Sequence, residues 1–163
     1  MFSSYIHNEL RAGYHKKPGD KEDGCKFCGY IKTKDYITST GLSFVIANIY
    51  PYNYGHLLIS PIRHVKDLRE LTKDELKDLL KMSLDFLNLL EKVYDVHSFN
   101  VGFNLGPSSG ATVEHLHIHV VPRWAGDSGF METTSSTRAI KETPQQTTER
   151  LKNALTGKVD INK

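Results

Sequence analysis

The sequence predicts an α+β fold: an antiparallel sheet of about five strands, covered on one face by a long helix, with a second helix near the C-terminus. Short apolar, β-branched runs follow one another across turn-forming residues. One long leucine-rich stretch keeps helical spacing, and the helical stretches are too few to act as crossovers in a doubly wound parallel sheet. At 163 residues the chain has the size of one domain. Its 39% hydrophobic and 25% charged residues suit a soluble globular protein.

Residues 1–24 read as an N-terminal extension, 25–156 as the folded domain and 157–163 as a tail. Within the extension, GYHKKPGDKEDG (13–24) is polar and rich in turn formers, an exposed loop leading into a cysteine pair. The runs LSFVIA (42–47) and HLLIS (56–60) predict two strands, joined by a turn that contains Pro51, Asn53 and Gly55. Thr72-Lys73-Asp74-Glu75 has the form of a capping box and opens a helix to about Tyr94. Leu76, Leu79, Leu80, Leu84, Leu87 and Leu90 recur along it and are expected to pack into the core. A further strand, HSFNVGFN (97–104), sets Phe99, Val101 and Phe103 on one side and is followed by the glycine- and serine-rich loop LGPSSGATV. Pro144 to Leu155 predicts the last helix, with Leu151 and Leu155 inward, and 125–143 is expected to be irregular.

The chemistry concentrates in EHLHIHVVPRW, from residue 114. In an extended strand His115, His117 and His119 share one face, and Leu116, Ile118 and Val120 the other. Outer members of such a run lie about 13 Å apart, so three histidines cannot hold one ion without a sharp bend. Cys25-x-x-Cys28 has the spacing of a zinc knuckle, although a reduced pair and a redox pair share that spacing. His64 and His115 are available as the two further ligands of a structural zinc site, which would staple the start of the domain to the sheet. His117 and His119 then remain for other work.

Beside a glycine-rich loop, two such histidines suit chemistry on a phosphate ester. A neutral imidazole is a nucleophile at neutral pH and can carry the transferred group covalently, the role expected of His117. His119 would stabilise charge on the non-bridging oxygens, and backbone N–H groups between Gly106 and Thr112 could cradle phosphate. His56 is expected to orient its neighbours or to be structural, whereas His7, His15 and His97 read as surface residues.

His115-Leu116-His117-Ile118-His119-Val120-Val121 resembles the histidine triad signature of the HIT family, His-φ-His-φ-His-φ-φ with φ apolar. The similarity extends through FVIANIYPYNYGHLLISPIRHV, FNLGPSSGATVEH and HLHIHVVPRWAGD. It implies a HIT-like fold, a nucleotidyl-histidine at His117, contact of His119 with the α-phosphate, and zinc on Cys25, Cys28, His64 and His115. It further implies nucleotide contacts at Asn48 and Asn104 and a phosphate-side loop including Gly110 and Thr112. The chain departs from the fragile-histidine-triad hydrolases, which carry glutamine where it has Ala111. WAGDSGFM, from Trp124, is similar to the corresponding stretch of bacterial diadenosine tetraphosphate phosphorylases.

The expected function is cleavage of a dinucleoside polyphosphate, such as diadenosine tetraphosphate, at its α-phosphorus, by a homodimer, with water or phosphate as acceptor. Mg²⁺ could shield the substrate phosphates. Alternatives are hydrolysis of nucleoside phosphoramidates or other AMP conjugates, a metal-dependent hydrolase with its catalytic ion on the histidine run, and a nucleotide-binding module without turnover. A net charge of +2 with no basic tract argues against nucleic acid as partner. No apolar run approaches the roughly 18 residues of a membrane span. The N-terminus lacks the apolar stretch of a signal peptide, so a cytoplasmic location is expected.

Overall fold

The computed structural model describes residues 24–127, 134 and 140–157. All of the expected N-terminal extension but Gly24, with His7 and His15, most of the tail and much of the irregular stretch 125–143 lie outside the described residues. In chain order the elements are α1 (Lys26–Thr33), β1 (Thr38–Ser39), β2 (Ser43–Ala47), β3 (Leu57–Pro61), α2 (Lys73–Tyr94), β4 (Ser98–Phe103), β5 (Ile118–Arg123) and α3 (Pro144–Leu155). Short 3₁₀ turns at Leu68–Glu70 and Pro107–Ser109 lead into α2 and the glycine-rich loop. The five strands form one antiparallel sheet in the order β1-β2-β3-β5-β4.

The two faces of the sheet bury different things. Val45, Ala47, Leu57, Ile59, Ile118 and Val120 point into the main core with Leu79, Met82, Phe86 and Leu90 of α2 and Leu151 of α3. Phe44, Ile46 and Leu58, the alternate residues, form a second cluster with Phe27 of α1. The expectation of a sheet covered on one face is therefore incomplete, because α1 covers part of the other. Nothing in the short segment KFCGYIKT announces a helix; it is eight residues long, contains Gly29 and ends at Lys34 in the left-handed region with φ 57°.

Thr72 does cap α2. Its side chain accepts from the Glu75 backbone N–H while the Glu75 carboxylate accepts from the Thr72 N–H. The leucine stripe needs correction: Leu76, Leu80 and Leu84 are exposed, and the core face is Leu79, Met82, Ser83, Phe86 and Leu90. Leucines at 76, 80 and 84 step by four, so with 3.6 residues per turn they drift off the buried stripe. In α3, Thr143 builds the same kind of cap with Gln146, and Leu151 is buried. Leu155 is exposed, against expectation, and Thr147 and Ala154 occupy the buried face instead.

A second departure positions the site. Only His119 of the three histidines lies within β5. The ladder to β3 stops at Ile59–Ile118. Beyond it the Leu116 N–H donates to the Val65 carbonyl at 2.7 Å, and its carbonyl accepts from the Ser60 hydroxyl at 2.8 Å. These bonds replace ladder bonds, satisfy the backbone off the sheet and divert residue 115 towards the cysteines.

Glu75 is buried and receives a bidentate bond from Arg63, with both contacts at 2.8 Å. The Arg63 guanidinium, followed by the Thr72 backbone N–H, holds its carboxyl down to about 2. The stabilisation is complete above the ordinary value near 4.5 and is lost as pH falls from there through about 2. Arg63 is half-exposed, which limits the gain. Glu75→Gln should cost about 1–2 kcal/mol at neutral pH, and denaturant unfolding of the two proteins should converge as pH falls towards 2.

Candidate active site and metal centre

The bend at residues 113–115, just before Leu116 leaves the ladder, brings four ligand atoms together. Those of Cys25, Cys28, His64 and His115 all lie within 4.8 Å of one another. The Cys25 Sγ–His115 Nδ1, Cys28 Sγ–His64 Nδ1 and Cys28 Sγ–His115 Nδ1 separations are 3.3, 3.5 and 3.7 Å. A tetrahedral ion with metal–sulfur bonds of about 2.3 Å and metal–nitrogen bonds of about 2.0–2.1 Å requires sulfur–nitrogen edges of about 3.5 Å. The residues present therefore fit a four-coordinate thiophilic ion.

The surroundings prepare the ligands. His115 Nε2–H donates to the Pro61 carbonyl at 2.9 Å, which leaves Nδ1 with the lone pair that faces the sulfurs. Burial pushes His115 down to about 4, keeping it neutral as a ligand must be. Burial, and then the neighbouring Cys25, raise the Cys28 thiol, so a pair of thiolates here calls for a cation. Both cysteines are free thiols.

Phe27, between the cysteines in sequence, connects this cluster to the next histidine. Its ring stacks on His115 at 5.4 Å and on His117 at 5.0 Å, with interplanar angles of 29° and 28°. His117 is buried, and its Nδ1–H donates to the His115 carbonyl at 2.7 Å. A carbonyl only accepts, so Nδ1 carries the proton and the lone pair resides on Nε2. Burial holds the ring below its ordinary value and therefore neutral.

The His119 ring lies 4.9 Å from that of His117. His56 Nε2 stands 3.0 Å from His119 Nδ1, and the Asn104 side-chain amide 3.3 Å from His119 Nε2. Tyr52 lies parallel to His119 at 5.9 Å and an interplanar angle of 15°. Asn48 is buried; its Oδ1 accepts from the Tyr50 N–H, and its Nδ2 lies 3.3 and 3.4 Å from the two ring nitrogens of His56. The structure thus joins Asn48 and Asn104 to His119, Asn48 through His56. Gly110, with φ +88°, ends the 3₁₀ turn, and Thr112 is exposed; among the described residues nothing ties either to the histidines. His97 is exposed and paired with Glu91 and Asp95 on the surface.

Phe27 and Tyr52 are site residues that the sequence reading passed over. Phe27 had a signal in its place inside Cys-x-x-Cys, which any metal knuckle carries into contact with its ligands. Tyr52 had none, because it lies in the connection between β2 and β3 and meets His119 of β5, far away in sequence.

The chain belongs to the HIT family: the HIT domain model matches residues 31–126, more than half of its length. It is 41% identical over 102 residues to the AP-4-A phosphorylase of Mycobacterium tuberculosis, which covers 62% of this chain and 52% of that protein. To the asymmetrical bis(5'-nucleosyl)-tetraphosphatase of Schizosaccharomyces pombe it is 38% identical over 88 residues, 54% of this chain and 48% of the relative. The chain spans about half the length of these curated relatives. A Zn-bound histidine triad family protein from Mycobacterium smegmatis shares the fold, with a TM-score of 0.63 and 23% identity over 82% of this chain and 94% of that one.

A divalent thiophilic ion added to chelator-stripped protein should raise the melting temperature and shield both cysteines from thiol reagents. Unchanged cysteine reactivity would show that the four atoms do not share an ion.

Proposed function

We propose that the protein is a nucleotidyl hydrolase or phosphorylase that cleaves dinucleoside polyphosphates at the α-phosphorus through a covalent His117 intermediate. The observation that carries this reading is the His117 Nδ1–H bond to the His115 carbonyl, which fixes the ring with its lone pair on Nε2. A buried, neutral imidazole with one nitrogen tied back is a nucleophile ready at neutral pH. Nε2 forms a bond to the α-phosphorus as the phosphorus–oxygen bond to the departing nucleoside polyphosphate breaks. Water or phosphate then displaces the imidazole. His119, beside His117, donates to a non-bridging oxygen as charge grows there. Asn48, Asn104, Gly110 and Thr112 are the proposed nucleotide and phosphate contacts, with Mg²⁺ shielding the substrate phosphates.

The phosphorylase and the tetraphosphatase among the relatives support the substrate class and leave both acceptors open. Zinc is the proposed ion on Cys25, Cys28, His64 and His115, in a structural role that holds α1 against the sheet. The free thiol pair suits the reducing cytoplasm, and no helix among the described residues is long and apolar enough to cross a membrane. Strand β4 lies at the sheet edge with Val101 half-exposed, which suits a homodimer joined through its sheets.

Diadenosine tetraphosphate incubated with and without phosphate decides the chemistry. ADP plus ATP formed only with phosphate identifies a phosphorylase, and AMP plus ATP without it a hydrolase. His117→Asn should abolish turnover while nucleotide binding persists; a variant retaining a tenth of the rate would refute the covalent step. Freshly purified protein should contain about one zinc per chain, and metal analysis finding none would remove zinc from the proposal.

A further inference from the structure

Asp127 stands outside the triad and the metal centre, and its carboxylate accepts four hydrogen bonds. Its side chain is about nine-tenths buried. Oδ2 accepts from Arg123 Nε at 2.7 Å, Asn53 Nδ2 at 3.1 Å and the Trp124 backbone N–H at 3.2 Å, and Oδ1 accepts from Arg123 Nη2 at 2.8 Å. Asn53 is the buried member that leads back to the histidines. Its backbone carbonyl accepts from the His56 N–H at 3.2 Å, and its side-chain oxygen from the Tyr54 N–H at 3.1 Å. Tyr54 in turn stacks on Trp124 at 4.0 Å. Residues 48–56 are thereby tied to the end of β5.

What this loop delivers is a directed hydrogen-bond chain. The Tyr52 backbone N–H donates to His56 Nδ1 at 3.0 Å. A ring nitrogen that accepts carries no proton, so His56 is neutral and its proton sits on Nε2. That Nε2–H points at His119 Nδ1, 3.0 Å away, which must then accept. A neutral His119 is left with its proton on Nε2; the Asn104 Nδ2 lies 3.3 Å from that nitrogen, and a half-turn of the amide, whose oxygen and nitrogen can exchange places, would turn its oxygen there to accept. The order of donors starts at a backbone N–H, which cannot reverse.

We propose that Asp127, acting through Asn53, is a positioning residue that holds the Tyr52–His56 segment in register and so fixes His119 as an Nε2–H donor. The proposal rests on His119 serving the reaction above, but its first readout does not require turnover. The 1H–15N correlations of the histidine rings, with His119 assigned by loss of its peaks in His119→Asn, report which ring nitrogen carries the proton.

Wild type should show His119 as a single Nε2–H tautomer. Asp127→Ala should show a mixture of tautomers, with kcat down about tenfold, KM within about twofold, and both largely restored in Asp127→Asn, which keeps an oxygen for Asn53. If Asp127→Ala does not fold, Asn53→Ser is read in the same way, since it breaks the clamp and leaves the Arg123–Asp127 pair. An unchanged His119 tautomer in the folded variant, with or without a loss of kcat, overturns the proposal. A wild-type protein that cleaves no nucleotide would defeat the functional reading while the tautomer measurement still decides this one.

Discussion

A pleated chain cannot turn Ile118 and Val120 into the core without turning His117 and His119 to the opposite face, and most of the molecule is arranged around that constraint. The β3–β5 ladder sets the register by pairing Leu57 with Val120, Leu58 with His119 and Ile59 with Ile118. A one-residue slip would put imidazoles into the apolar core and isoleucine against Phe27. Burying Ile118 and Val120 against α2 therefore aims His117 and His119 at the opposite face as well as stabilising the sheet.

The second face is where the protein departs from regular structure. The irregular stretch before Ile118 divides the triad between two groups: His115 joins the cysteines and His117 stays with His119. Phe27 spans that division, its ring lying against both His115 and His117. A metal held by Cys25 and Cys28 on either side of Phe27 would therefore also locate the ring that packs on the nucleophile candidate. The candidate metal centre and the proposed reaction centre share a wall.

Much of this was legible in the sequence because it is local. The Thr72–Glu75 cap, the short apolar runs at 42–47 and 56–60 and the Pro144 helix start all depend on neighbours within a few residues. The Cys25-x-x-Cys28 pair was legible through its spacing, whereas His64 and His115 stood only as available partners until the resemblance to the HIT signature singled them out, because no local pattern links residues 28, 64 and 115. Helix α1 was not, because eight residues with a central glycine have little helical preference of their own and depend on burying Phe27 in the second cluster. Nor was the exposure of Leu76, Leu80 and Leu84, since apolar spacing gives a stripe but not its centre. The Asn53–Asp127 contact joins residues 74 apart in sequence, and no local pattern encodes it.

The covalent step is the claim on which the function stands, and acid-quenched intact-mass analysis of the protein mixed with diadenosine tetraphosphate tests it most directly. A transient species heavier by one adenylyl group, mapped to His117 and absent from His117→Asn, is the predicted result. Rapid formation of products with no such adduct at any quench time, or an adduct on another residue, would contradict it.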